Sequence, residues 1–190
     1  MPGIKDVAVE FEAFIASLST EREELIEYIA ALNNGFEGWL KLEFYFWLIK
    51  NRKLRAATSD ADVGLEYKVA LDQRHAGIDR ETKQCDLWVR NNESGFHFIE
   101  LKAPFFNSNK GKVLLSAAHD LWYMSRLTGT YEQVATGSTI AVGIGFTAED
   151  WAEQMDKVRD YCETSKPIAV KLGSLGNHPT AHWAALTVQY

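Results

Sequence analysis

The chain has 190 residues, 46% of them hydrophobic, 12% aromatic and 24% charged, with 13 Gly and 4 Pro. Such proportions exclude a disordered polymer, a collagen and a low-complexity tract, and one globular domain is the expectation. The 20 Lys and Arg against 26 Asp and Glu give a formal charge of −6. That argues against a polybasic coat for nucleic acid, but not against an enzyme with a local basic track, because a cluster of acidic metal ligands itself lowers net charge.

The first helical pattern, about 7–18, spaces Phe11, Phe14, Ile15 and Leu18 along one face. Ser19-Thr20-Glu21-Arg22-Glu23 reads as a second helix start, with Thr20 as N-cap and Glu23 three residues on. Leu25, Ile26, Ile29 and Leu32 form its apolar stripe, and Asn33-Asn34-Gly35 ends it. A third helix over about 38–53 carries Trp39, Leu40, Leu42, Phe44, Tyr45, Phe46, Trp47, Leu48 and Ile49. A helix apolar on nearly all sides is expected to be buried, so its acid, Glu43, stands out. The basic stretch from Lys50 to Arg55 suits a helix C-terminus.

Val63 to Leu71 and Cys85 to Arg90 read as strands, Asn91 to Gly95 as a hairpin turn, and Phe96 to Ala103 as a third strand stopped by Pro104. A helix follows over about 112–127, then a buried apolar strand over about 139–146 and a helix capped at Thr147 that runs to about Thr164. Strands over about 167–172 and 183–188 complete the chain. The expected fold class is α/β (α+β), a mixed central sheet with a three-strand meander flanked by helices. A single domain spans 1–190: helical to about 55, a sheet core over about 62–146, and a C-terminal helix and strands over about 147–190. Cys85 and Cys162 fit neither a disulfide framework nor a zinc pattern and read as reduced, buried thiols. The N-terminus has no secretory apolar core, and no apolar run reaches the ~20 residues of a membrane span. A soluble, cytoplasmic protein is therefore expected.

The chemistry lies in the hairpin. Side chains two apart on a strand share a face, so Phe98, Glu100 and Lys102 point together. A turn centred near residue 93 sets Asp86 opposite Glu100, with Cβ atoms roughly 4.5–5.5 Å apart. Facing carboxylates repel unless a positive charge sits between them, and a hard divalent cation with oxygen ligands is the natural candidate. Its waters are potential nucleophiles. Lys102 on the same face would position one of them, help deprotonate it, or stabilise charge on a phosphoryl oxygen. The same residues also admit a plainer reading, a partly buried salt-bridge cluster with Glu43 reaching solvent.

Asp86, then thirteen residues, then Glu100-Leu101-Lys102 resembles the PD-(D/E)xK nuclease superfamily, with its restriction-endonuclease-like fold. The resemblance implies divalent-metal-dependent hydrolysis of nucleic acid, with DNA favoured over RNA and Mg²⁺ or Mn²⁺ as cofactor. It implies that Asp86 and Glu100 are metal ligands, joined by the backbone carbonyl of Leu101. Lys102 would be the water-positioning group, and Glu43, on the helix before the core sheet, an accessory ligand. Cys85 stands where the pattern has Pro, a variable position. Glu66-Tyr67-Lys68 has the same acid-x-Lys form, but its upstream acids, Asp60 and Asp62, are too close for a preceding hairpin strand.

Secondary candidates for phosphate contact are Lys50, Arg52 and Arg55 at the end of the aromatic helix, Arg74 in the following loop, and Lys110 and Lys112 after the motif strand. A solvated helix end complementing the dipole is the plainer reading for the first group, and a flexible connection stands level with phosphate contact for the loop segments. Gln84 shares the strand face of Asp86, and His119-Asp120 lies on the helix that packs on the sheet in the superfamily. The alternative function is a catalytically inactive module of the same fold that binds nucleic acid or a protein partner. A homodimer through the aromatic helix is compatible with either.

Overall fold

The structure, a computed structural model, describes residues 2–32, 36–74, 77–105, 107, 110–128 and 133–190. The expected helix end at Asn33-Asn34-Gly35 lies outside these. Helices α1 (Val7–Glu21), α2 (Glu23–Leu32) and α3 (Glu37–Arg52) precede strands β1 (Val63–Leu71), β2 (Thr82–Arg90) and β3 (Phe96–Lys102). Then come α4 (Lys110–Met124), β4 (Leu127–Thr128), β5 (Val134–Ile144), α5 (Ala148–Tyr161), β6 (Ile168–Ser174) and β7 (Ala181–Gln189).

The seven strands form one mixed sheet in the order β4-β1-β2-β3-β5-β7-β6. Among the strand pairs of the described residues, only β3 and β5 run parallel; such a pair needs a long crossover connection, which contains α4. The mixed sheet flanked by helices is the architecture expected from the pattern of elements. Among the described residues, no helix is long and apolar enough to cross a membrane.

Alternation sorts the core into two layers. On β7, Ala181, Trp183 and Ala185 pack beneath α1 and α3, whereas Ala184, Leu186 and Val188 pack against α4 and α5. A strand covered on both faces reads as an unbroken apolar run. The larger core is aromatic: Phe11 lies edge-on to Phe44 at 5.1 Å and to Trp183 at 5.7 Å. The aromatic helix departs from the expectation of all-round burial. Leu40, Phe44 and Leu48 are buried, while Leu42 and Phe46 are 45% and 60% exposed. A helix lying on one sheet face buries one stripe only.

The first helix also runs further than its pattern suggests. Asp6 caps α1 by accepting from the N–H groups of Ala8 and Val9. Thr20, expected to cap α2, lies inside α1, and its hydroxyl donates to the Ala16 carbonyl.

The hairpin is built as its composition suggests. Asn91 Oδ1 accepts from the N–H groups of Glu93 and Ser94. Gly95 closes the turn at φ +76, where a Cβ would also come within 2.3 Å of the Gln133 carbonyl oxygen. Register then follows, from Arg90↔Phe96 to Leu87↔Ile99.

A candidate active site where two strands part

The β2–β3 ladder ends at Leu87↔Ile99. The next rung would set Asp86 opposite Glu100, but the two strands part here. On the other side of β2, the pairs step from Leu65↔Leu87 to Tyr67↔Cys85, and Glu66 sits in the left-handed region at φ 54. Both strands change face at this level. Leu65 and Leu87 belong to the core under α1 and α3, whereas Tyr67 and Cys85 belong to the one that includes Met124 of α4.

At the parting, Asp86 Oδ2 accepts the Leu101 N–H at 2.9 Å, and Asp86 Oδ1 accepts from Lys41 Nζ at 3.1 Å. A carboxylate thus satisfies a main-chain donor that would otherwise be left by the ended ladder. Lys41 also bonds Glu66, which accepts in addition from Gln84.

Glu100 and Lys102 share the α4 face of β3, as their spacing requires. Glu100 Oε1 accepts from Lys83 Nζ at 3.0 Å and from Lys102 Nζ at 3.5 Å. Asp120 of α4 closes the group, with Lys83 at 2.9 Å and Lys102 at 3.1 Å. Glu37, at the start of α3, lies 3.6 Å from Lys102. These ion pairs form two neighbouring groups, Lys83 and Lys102 with Glu37, Glu100 and Asp120, and Lys41 with Glu66 and Asp86, and in each the carboxylates outnumber the ammonium groups by one. Glu100 Oε2 is buried and has no hydrogen-bond partner among the described residues.

Burial and the neighbouring charges together set the electrostatics. Burial, with the charges of Asp120 and Asp86 added, raises the Glu100 carboxyl to about 7, although Lys83 and Lys102 oppose the shift. Burial also raises Glu37. For Lys102, burial disfavours the ammonium, but Asp120, Glu100 and Glu37 outweigh it and its pKa rises; Lys83 behaves likewise against Glu100 and Asp120. Lys102 is therefore a donor of hydrogen bonds and not a base, which narrows the roles open to it. The Cys85 thiol, buried beside the group, is pushed far up and stays protonated.

Because Glu100 titrates higher in the folded chain than its usual 4.5, its contribution to stability is complete below about pH 4.5 and is lost as pH rises through about 7. Metal-free protein is expected to lose melting temperature between pH 5 and 8, and Glu100→Gln to flatten that slope. Thermal melts of both proteins across this range check it, and parallel profiles would refute it.

Several expected site residues sit elsewhere. Glu43 faces Arg22 at 3.8 Å, on the side of α1 and α2. At 3.6 residues per turn, Lys41 lies about 40° round the helix from Glu37 and Glu43 about 240°. Glu37 and Lys41 therefore reach the sheet, and Glu43 cannot join them. Asp86 and Glu100 are held by different lysines, Asp86 by Lys41 and Glu100 by Lys83 and Lys102. Among the described residues, no three His, Cys, Asp or Glu side chains are grouped as metal ligands. The Leu101 main chain meets Asp86 through its N–H.

Nor do the basic candidates gather at the site. Arg52 pairs with Glu10 at 2.5 Å. Arg55 pairs with fully buried Asp62 at 2.8 Å and, by hydrogen bonding, holds that carboxyl at about 2. Arg74 pairs with Asp72 at 2.6 Å. Lys50 lies in the last turn of α3, some 20 Å along the axis from Glu37 at 1.5 Å per residue. Lys110 and Lys112 begin α4, roughly 12–15 Å along it from Asp120. His119 turns outward to the Tyr161 hydroxyl at 2.7 Å.

Lys83, Lys41 and Glu37 were not among the expected residues. Lys83 is in phase with Cys85 on β2 and is only 8% exposed. The chain matches no known protein family, no characterised protein and no solved structure.

Proposed function

We propose that the chain is a divalent-metal-dependent nuclease that hydrolyses phosphodiester bonds, with DNA the favoured substrate, and that it is related to the PD-(D/E)xK superfamily. The observation that carries this reading is the orphaned Glu100 Oε2 in a cluster where three carboxylates share two ammonium groups. A buried acceptor with excess negative charge around it suits a hard cation. Asp86 and Glu100 would hold Mg²⁺ or Mn²⁺, with Asp120 supporting from α4 and Glu37 in the place expected of Glu43. The ion would supply Lewis-acid polarisation of the phosphate and a water of lowered pKa.

The chain's own groups supply the remainder. Lys102, held between Asp120 and Glu100, presents a protonated ammonium able to orient a water or to donate to a phosphoryl oxygen. Lys83 keeps Glu100 and Asp120 together from the β2 side. The Leu101 N–H fixes the Asp86 carboxylate.

Cleavage assays with Mg²⁺ or Mn²⁺ on single- and double-stranded DNA and RNA test the reading. Glu100→Ala and Lys102→Ala are expected to lose at least about a hundredfold in rate, with folding verified by circular dichroism. Glu43→Ala is expected to cleave like wild type. Equal rates for all proteins would rule the assignment out.

The second reading, a non-catalytic module of the same architecture that binds nucleic acid or a protein, is favoured by one observation: Lys41, Lys83 and Lys102 already occupy the cationic positions between the acids. Calorimetric titration with Mn²⁺ separates the two. An intact fold that takes up no ion supports the module.

A further inference from the structure

Beside the charged group, the open face of the β1–β2–β3 meander carries an aromatic pocket that the reading above does not use. Gly64 pairs with Trp88 across β1 and β2. A Cβ on Gly64 would come within 2.5 Å of the indole Nε1, so the ring lies against the backbone of its neighbour. Trp88 meets Tyr67 edge-on at 6.0 Å and Phe96 at 5.4 Å, and Tyr67 stacks on Phe98 at 6.0 Å. The Arg90 guanidinium lies 5.1 Å from the Phe96 ring centre. With the loop before β1 as a rim, these side chains line a cavity of about 210 Å³. That is smaller than the ~300–1,000 Å³ of drug-sized pockets and suits one flat ring system.

Tyr67, Trp88 and Phe96 are only partly buried, so part of each aromatic residue stays open to solvent. Thr58 and Ser59 on the rim add hydroxyls able to bond the edge of a planar heterocycle. The pocket neighbours the candidate site along β3, where its lining residue Phe98 shares a face with Glu100 two residues on, roughly 6.5 Å along the strand.

We propose that this pocket binds one unpaired nucleobase by stacking, so that the substrate class is nucleic acid with a single-stranded nucleotide next to the phosphodiester presented to Glu100 and Lys102. A base inside a duplex has both faces covered by its neighbours and cannot enter an aromatic slot without leaving the stack. Stacking tolerates any base, because every base has a π-face. The proposal deepens the nuclease reading and rests on it for the role of the neighbouring phosphate; base binding itself does not.

The test is fluorescence anisotropy in EDTA with a labelled thymidine 12-mer, in deoxyribose and ribose-uridine forms, against the same DNA backbone with abasic sugars and a duplex of equal length. Wild type is expected to bind the base-bearing single strands about tenfold or more tightly than the abasic strand and the duplex. Trp88→Ala is expected to remove that preference, and Trp88→Phe to keep most of it. Phe96→Leu provides a second reading if Trp88→Ala fails to fold, and wild-type tryptophan emission should be quenched on saturation. Equal binding of abasic and base-bearing strands, or a preference unchanged in Trp88→Ala and Phe96→Leu, would overturn the proposal. The two sugar forms tell a DNA ligand from an RNA one. Trp88-dependent binding without metal-dependent cleavage would support the pocket and remove the nuclease reading. Cleavage without base-dependent binding would do the reverse.

Discussion

Lys83→Met is expected to lower stability by roughly 3–5 kcal/mol at pH 8 and by much less at pH 5. Methionine keeps the length and packing of the aliphatic stem but removes the ammonium that lies 3.0 Å from Glu100 and 2.9 Å from Asp120. At pH 8 both carboxylates must then share Lys102 in a buried space, and an uncompensated buried charge is costly. At pH 5 Glu100, raised to about 7 mainly by burial, already carries its proton, so the missing cation leaves little unbalanced. Urea denaturation at both pH values measures this. For a chain of this size the loss at pH 8 amounts to a melting shift of roughly 10 °C. The same penalty at pH 5 and pH 8 would mean that Lys83 acts through packing alone.

The second large effect belongs to the support beneath the site. Phe44→Ala is expected to cost about 3–5 kcal/mol. The ring is fully buried and meets Phe11 at 5.1 Å and Phe14 at 5.2 Å. Its loss opens a cavity between α1, α3 and the sheet that rigid neighbours cannot fill. Because α3 also delivers Glu37 and Lys41, the substitution should disturb the charged group as well. Phe46→Ala, two residues on but facing outward, is expected to change stability by less than about 0.5 kcal/mol. Comparing the two melts asks directly which stripe of the aromatic helix carries the packing.

The two stripes also show what a sequence can and cannot convey. Strand alternation in Phe98-Ile99-Glu100-Leu101-Lys102 is a local property, and it placed Glu100 and Lys102 together on one side of β3. The hairpin register was equally legible, since Asn91 and Gly95 fix the turn and the turn fixes the pairing. Asp120 was visible as an acid in phase with the buried positions Ala117, Leu121 and Met124. Which acid of α3 reaches the site was not legible. That depends on how the helix lies across the sheet, a tertiary property, and Glu37 falls just before the point where the apolar pattern begins. Lys83 was hidden for a different reason. The simple alternation of β2 is broken where Glu66 turns left-handed and both strands change face. Nothing in the residue type of Glu66 announces that conformation, because a non-glycine residue adopts it only when its surroundings hold it there.

The bond from the Leu101 N–H to Asp86 Oδ2 gives the site a reporter of its own. A main-chain amide that donates to a carboxylate has a proton deshielded beyond its neighbours on β3 and slow to exchange with water. Any cation that draws the Asp86 oxygens toward itself must weaken that bond. The chemical shift of one backbone proton, followed during a titration with diamagnetic Mg²⁺, therefore reads occupancy of the cluster without turnover, substrate or mutation.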